Sequence, residues 1–157
     1  MADKSKLGME FPPYTFEVEK GKIAEFAIAI SQKEDKDQVN PLYVNREAAR
    51  KAGYKDIIAP PTFQTCFPLW AGGGLMPLIQ ALNINLIRLL HGEEEYYYLG
   101  TIHPGDIMTG KSKVVDMYDK EKKDKPGKYM EFTVIETEIR NQRGELVIKS
   151  RSTLVER

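Results

Sequence analysis

The chain has 157 residues, 41% of them apolar, and 23 lysines plus arginines balance 23 aspartates plus glutamates. Residues 1–157 are read as one domain, long enough to bury a proper core. A formal charge of zero offers no field to draw nucleic acid or a membrane surface, and no apolar run approaches the roughly 20 residues of a membrane span. A single cysteine, Cys66, excludes an internal disulfide and fits a reducing compartment. Charge without a following apolar run at the N-terminus argues against a signal peptide. The expectation is a soluble cytoplasmic protein.

In chain order, residues 1–8 are polar and expected to fray. Residues 14–18 alternate as a short strand. Ile23, Phe26, Ala27 and Ile30 recur at helical spacing, which predicts an amphipathic helix over 20–30. A polar stretch, 31–39, leads to a loop, and residues 46–52 form a helix with Asn45 as N-cap and Gly53 as its stop. Pro60-Pro61 then opens an apolar helix with Phe63, Cys66, Phe67 and Trp70 on one face. Pro68 should kink or end it, and Gly72-Gly73-Gly74 separates it from a helical stretch over 75–82.

From Leu86 the pattern turns to strands, over 86–90, 93–99, 107–118, 129–139 and 145–155. Turn chemistry at 103–106, 125–127 and 141–144 separates the later ones. In the fourth of these the apolar positions change phase between Val134 and Ile135, which predicts a bulge or a strand covered on both faces. Helices gathered early and antiparallel strands gathered late define an α+β class. One buried helix wrapped by a curved antiparallel sheet is the hot-dog arrangement.

The run Gln38-Val39-Asn40-Pro41-Leu42-Tyr43-Val44-Asn45 resembles the catalytic loop of the MaoC-like (R)-specific enoyl thioester hydratases and 3-hydroxyacyl thioester dehydratases, D-x-N-P-x-H followed by D or N. The resemblance runs from about Phe16 to the end. It takes in Ala48-Ala49, Ala52-Gly53-Tyr54, Ile58-Ala59-Pro60, the segment His91-Gly92-Glu93-Glu94-Glu95-Tyr96 and the Gly105-Asp106 turn, and it implies the same hot-dog fold. In that family the Asp and His handle the water that adds to, or leaves, a thioester-activated carbon. Here Gln38 stands for the Asp and Tyr43 for the His. An amide does not titrate near neutral pH, and a phenol does so near ~10. Where active members place a glycine whose N–H polarises the thioester carbonyl, this chain has Pro61, which has no N–H. Loss of such a donor costs ~100-fold or more in rate.

Both losses resemble the non-catalytic, substrate-holding half of two-subunit or fused double-hot-dog dehydratases, the N-terminal half in the fused forms. The resemblance implies an acyl-chain-binding subunit, with Asp and His supplied by a partner hot-dog subunit in a heterodimer, or a homodimer where that partner is absent. Gln38, Asn40 and Tyr43 would form the vestigial catalytic position. Asn40, Tyr43, Pro61, Thr62, Phe63 and His91 would meet the acyl-CoA or acyl carrier protein thioester. No cofactor is needed, because the thioester acidifies the carbon that loses its proton, and two histidines with one cysteine argue against a metal site.

Two rivals stay open. One is a self-sufficient hydratase or thioesterase that recruits His91 or a loop aspartate, Asp35 or Asp37, as base. The other is a non-enzymatic acyl-thioester-binding homodimer. The plainer readings are a hydrogen-bonded histidine at a strand start for His91, a solvated charge run for Asp35 and Asp37, surface for His103, and core for Cys66. Tyr96 and Tyr98 should share one strand face and Tyr97 the other, at an interface, an acyl tunnel or the core. Residues 119–128 read as a solvated charged tip.

Overall fold

The computed structural model describes residues 3–31 and 39–157; Gln38, Asp35 and Asp37 lie outside them. Strand β1 (Tyr14–Glu17) precedes helix α1 (Lys20–Ile30), two short helices α2 (Pro41–Val44) and α3 (Arg46–Lys51), then α4 (Cys66–Trp70) and α5 (Met76–Leu82). Four strands follow: β2 (Leu89–Tyr98), β3 (Ile107–Glu121), β4 (Tyr129–Arg140) and β5 (Leu146–Glu156). They form one antiparallel sheet in the order β1-β3-β4-β5-β2, with β2 as a long edge strand. The helical layer packs on the face that carries Met108, Ile139 and Ile148, and Phe63 and Phe67 are fully buried against it. This is the expected hot-dog arrangement.

The layer is less regular than its apolar spacing predicts. In place of one central helix, a 3-10 turn (Phe63–Thr65) runs into the five residues of α4. The helix survives Pro68 by two residues; then the N–H groups of Gly72 and Gly74 both close on the Pro68 carbonyl, at 3.1 and 2.9 Å. That closure turns Trp70 outward, 80% exposed, against the expectation of a shared buried face. In α1, Ile23 and Ala27 are buried as expected, whereas Ile30 lies exposed at the end.

Register explains two further differences. The expected strands at 86–90 and 93–99 are one strand, β2, preceded by a 3-10 turn (Leu86–Arg88) whose Ile87 N–H is capped by Asn85. A bulge at Gly92 had broken the alternation. The phase change in β4 is met by a bulge in its neighbour, where the register passes from Val114↔Ile135 to Asp116↔Val134. Val134 and Ile135 are both buried, on opposite faces. From Asp3 on, the start of the chain lies against β3: Gly8 N–H donates to Val114 O, Phe11 N–H donates to Ser112 O, and Lys4 pairs with Asp119.

On the helix-facing side the sheet carries two apolar clusters. One includes Ile139 and Ile148; the other includes Val114, Ile135 and Leu154. Between them the register lines up Ser112, Thr137, Ser150 and Tyr96 across four strands, with Ser112 and Thr137 hydroxyls 2.8 Å apart. Gly110 makes room for Tyr14 packed across it: a Cβ there would lie 2.2 Å from the phenol ring.

Candidate functional site

The loop over 40–45 is built from helix caps. Asn40 Oδ1 accepts from Leu42 N–H at 3.0 Å, and Pro41 occupies the first turn of α2, where no intrahelical partner is lost. Asn45 Oδ1 accepts from Glu47 and Ala48 N–H at 2.9 and 3.0 Å and starts α3 as expected. The asparagine frame thus sets the backbone path, and the Asn40 carbonyl oxygen is engaged locally. Asp56 anchors the loop to its surroundings through Lys20 (2.8 Å), Arg46 (3.3 Å) and Ile57 N–H (2.8 Å). The hydrogen bond from Lys20 is the main cause that holds its carboxyl below the usual range.

The strap from Ile57 to Pro61 crosses behind this loop. Ile58 N–H donates to Leu42 O at 3.1 Å and Ala59 N–H to Ile102 O at 2.9 Å. The result is a pocket of about 190 Å³ walled by Tyr43, Pro61, Gln64, Tyr98 and Ile148 among others. Tyr43 and Pro61, two of the three positions at which the chain departs from the pattern it resembles, thus line one cavity. Pro61 brings no N–H, and its carbonyl accepts the Tyr98 hydroxyl at 2.6 Å.

Gln64 was not singled out from the sequence, and Tyr98 only as part of the alternating tyrosine run of β2. Gln64 Nε2 donates to the Tyr98 oxygen at 3.3 Å. Burial first, then the Glu94 carboxylate, push the Tyr96 phenol above its ordinary range. Alternation along β2 was the available signal: Tyr96 and Tyr98 do share a face, with rings 6.0 Å apart. Nothing marked a glutamine within an apolar helical run.

His91 does not line this pocket. The Gly92 bulge brings it onto the same face as Glu94, its Nε2 3.1 Å from Glu94 Oε2 and 3.4 Å from Ser152 Oγ. Gly92 is required there, since a Cβ would fall 2.7 Å from Val155 Cγ2 and 3.1 Å from Thr153 O. His103, expected on the surface, is half-buried, with Nε2 3.0 Å from Thr101 Oγ1 and Nδ1 3.2 Å from Ile57 O.

A second, larger groove of about 460 Å³ shares no lining residue with this pocket. Phe16, Phe26, Phe63, Cys66 and Trp70 line it, with Glu17, Glu19, Lys22 and Glu25 at its rim. Phe63 thus faces this groove and Thr62 lines neither cavity. Burial pushes the Cys66 thiol up, the opposite of the lowered pKa that marks a reactive cysteine. Among the described residues no three histidine, cysteine or acidic side chains gather as a metal site, and no helix is long and apolar enough to cross a membrane.

The comparisons agree with this architecture. Residues 5–150 match the model of the FAS1-like dehydratase domain region. A UPF0336 protein of Saccharopolyspora erythraea is 35% identical over 156 residues, 99% of this chain and 91% of that protein. In structure the chain resembles the C-terminally truncated HadBC (3R-hydroxyacyl-ACP dehydratase) complex of Mycobacterium tuberculosis, with a TM-score of 0.75 at 20% identity over 96% of both chains. It also resembles the ChsH1–ChsH2 complex of Mycobacterium tuberculosis, with a TM-score of 0.66 at 15% identity over 96% of this chain and 98% of that one. The chain belongs to the FAS1-like dehydratase family and has the MaoC-like hot-dog fold.

Proposed function

We propose that this chain is the substrate-holding subunit of an (R)-specific 3-hydroxyacyl thioester dehydratase or enoyl thioester hydratase, and that a partner hot-dog subunit supplies the catalytic Asp and His. One observation carries the reading: Tyr43 and Pro61 wall the same pocket. The position of the base and the position of the carbonyl donor are thus both occupied by groups unsuited to either task. The thioester would lie against Tyr43, Pro61 and Tyr98, and the apolar groove lined by Phe26, Phe63 and Trp70 would take the acyl chain. Asn40 and Thr62 would shape the approach. The similarity to proteins from two complexes supports a paired assembly. So does β2, a ten-residue edge strand exposed along most of its length, which soluble proteins usually cover or blunt. The carrier is coenzyme A or an acyl carrier protein, and the single cysteine fits a cytoplasmic setting.

A specific observation favours one rival. His91 and Glu94 form a close pair, the kind of arrangement that orients an imidazole for proton transfer. A titration of the purified chain with a 2-enoyl thioester separates the readings. The substrate-holding account expects binding with no hydration above the uncatalysed rate. Turnover that His91→Ala abolishes would establish the self-sufficient enzyme instead.

A further inference from the structure

Among the described residues β2 is hydrogen-bonded to β5 on one side and to no strand on the other. Glu93, Glu94 and Glu95 stand at the middle of its ten residues, and all three are exposed. Alternation puts Glu93 and Glu95 on the face away from the helices, level with Thr153 and Arg151, and Glu94 on the helix side, level with Ser152. Little within the chain neutralises them. Glu94 meets His91, and Glu95 accepts the Tyr97 hydroxyl at 2.7 Å. Among the described residues no lysine or arginine forms an ion pair with any of the three, and Arg151 is the one cation level with them in β5.

A cavity of about 220 Å³ on the face away from the helices adds to the excess. It sets Glu93, Glu95 and Asp116 against the single cation of Arg151, and it leaves room for a basic side chain that reaches in from the edge. Symmetry turns this excess into a choice of partner. Suppose a second copy pairs antiparallel along β2 with both helical layers on one side of the joined sheet. Each residue then opposes one of its own face. Centred on Glu94, that pair sets Glu94 against its own copy and Glu93 against Glu95 on either side. Centred on Glu93 or Glu95, it still sets that glutamate against itself. Like charges directly opposite one another destabilise a strand pair, and opposite charges support it.

Resting on the paired assembly described above, we propose that Glu93, Glu94 and Glu95 choose the partner of β2. They weaken pairing with a second copy and favour a hot-dog subunit whose edge strand carries lysine or arginine at the facing positions. The self-pair is then the weaker arrangement, and a partner with a basic edge displaces it.

The test sets the full chain against charge-altered copies of itself in sedimentation equilibrium. A mixture of the wild-type chain with a copy carrying Glu93→Lys, Glu94→Lys and Glu95→Lys should form a mixed dimer about tenfold or more tighter than the wild-type self-pair. A copy carrying Glu93→Gln, Glu94→Gln and Glu95→Gln should also self-pair more tightly than the wild type. Raising the salt from about 0.05 to about 0.5 M should narrow both differences. A mixture that pairs no more tightly than the wild-type chain alone overturns the choosing role of the glutamates and leaves the paired assembly standing. No association in any of the samples overturns the paired assembly itself. Should the lysine copy fail to fold by circular dichroism, the glutamine copy decides: self-pairing equal to that of the wild type overturns the proposal.

Discussion

The Tyr98 hydroxyl donates to the Pro61 carbonyl at 2.6 Å, tying the exposed edge strand to the head of the central helix across 37 residues of chain. The same oxygen receives Gln64 Nε2, so one phenol holds two walls of the pocket. Tyr98→Phe keeps the ring and removes both bonds. The expected cost is about 1 kcal/mol in urea unfolding, since water reaches this half-exposed site. The thioester affinity should fall with it; an unchanged melt and affinity would show that the strand needs no such tie.

Alkaline pH should loosen the fold through Tyr14. Burial pushes its phenol up to about 12, and Tyr96 moves in the same direction. Below pH 10 both folded and unfolded tyrosines hold their protons, and the full stability is present. Between pH 10 and 12 the unfolded chain loses the Tyr14 proton while the folded chain keeps it, so stability falls as pH rises. Urea midpoints measured from pH 8 to 11.5 should decline above pH 10, and Tyr14→Phe should flatten that decline.

The sequence showed helix α1 and the Asn45 cap because local chemistry alone decides them: Ile23 and Ala27 fall at helical spacing, and Asn45 precedes a strong helix former. Strands β3 to β5 were legible through their turns. The edge strand was read as two because the Gly92 bulge shifts the alternation by one residue, and a bulge is set by packing on Val155 and Thr153, not by local propensity. The split of the central helix depends on the two glycine N–H groups that close on Pro68 O, a tertiary choice invisible to apolar spacing. Tyr43 and Pro61 were placed at one site through the resemblance, and the structure sets both on one pocket. Gln64 escaped notice because its partner, Tyr98, lies 34 residues away in sequence.

Restoring the catalytic loop should not by itself restore catalysis. Gln38→Asp with Tyr43→His returns the acid–base pair, but Pro61 still offers no N–H to the thioester carbonyl, a deficit of ~100-fold or more. Adding Pro61→Gly should be necessary before any hydration of crotonyl-CoA is seen. Measurable turnover from the double variant would show that the carbonyl is polarised by another group.

Pairing along β2 predicts a dimer. Sedimentation of the purified chain at low micromolar concentration should give twice the monomer mass of 17.9 kDa, replaced by a one-to-one complex when a partner is added. A chain that stays monomeric at those concentrations would contradict the paired assembly.

The most direct measurement is reconstitution with a hot-dog subunit that carries an intact D-x-N-P-x-H loop. This chain alone, and the partner alone, should give little or no hydration of a medium-chain 2-enoyl thioester, and the mixture should turn it over. Ala in place of the partner's Asp or His should abolish the rate, whereas His91→Ala in this chain should leave it intact. Full activity of this chain by itself, lost on His91→Ala, would contradict the substrate-holding role.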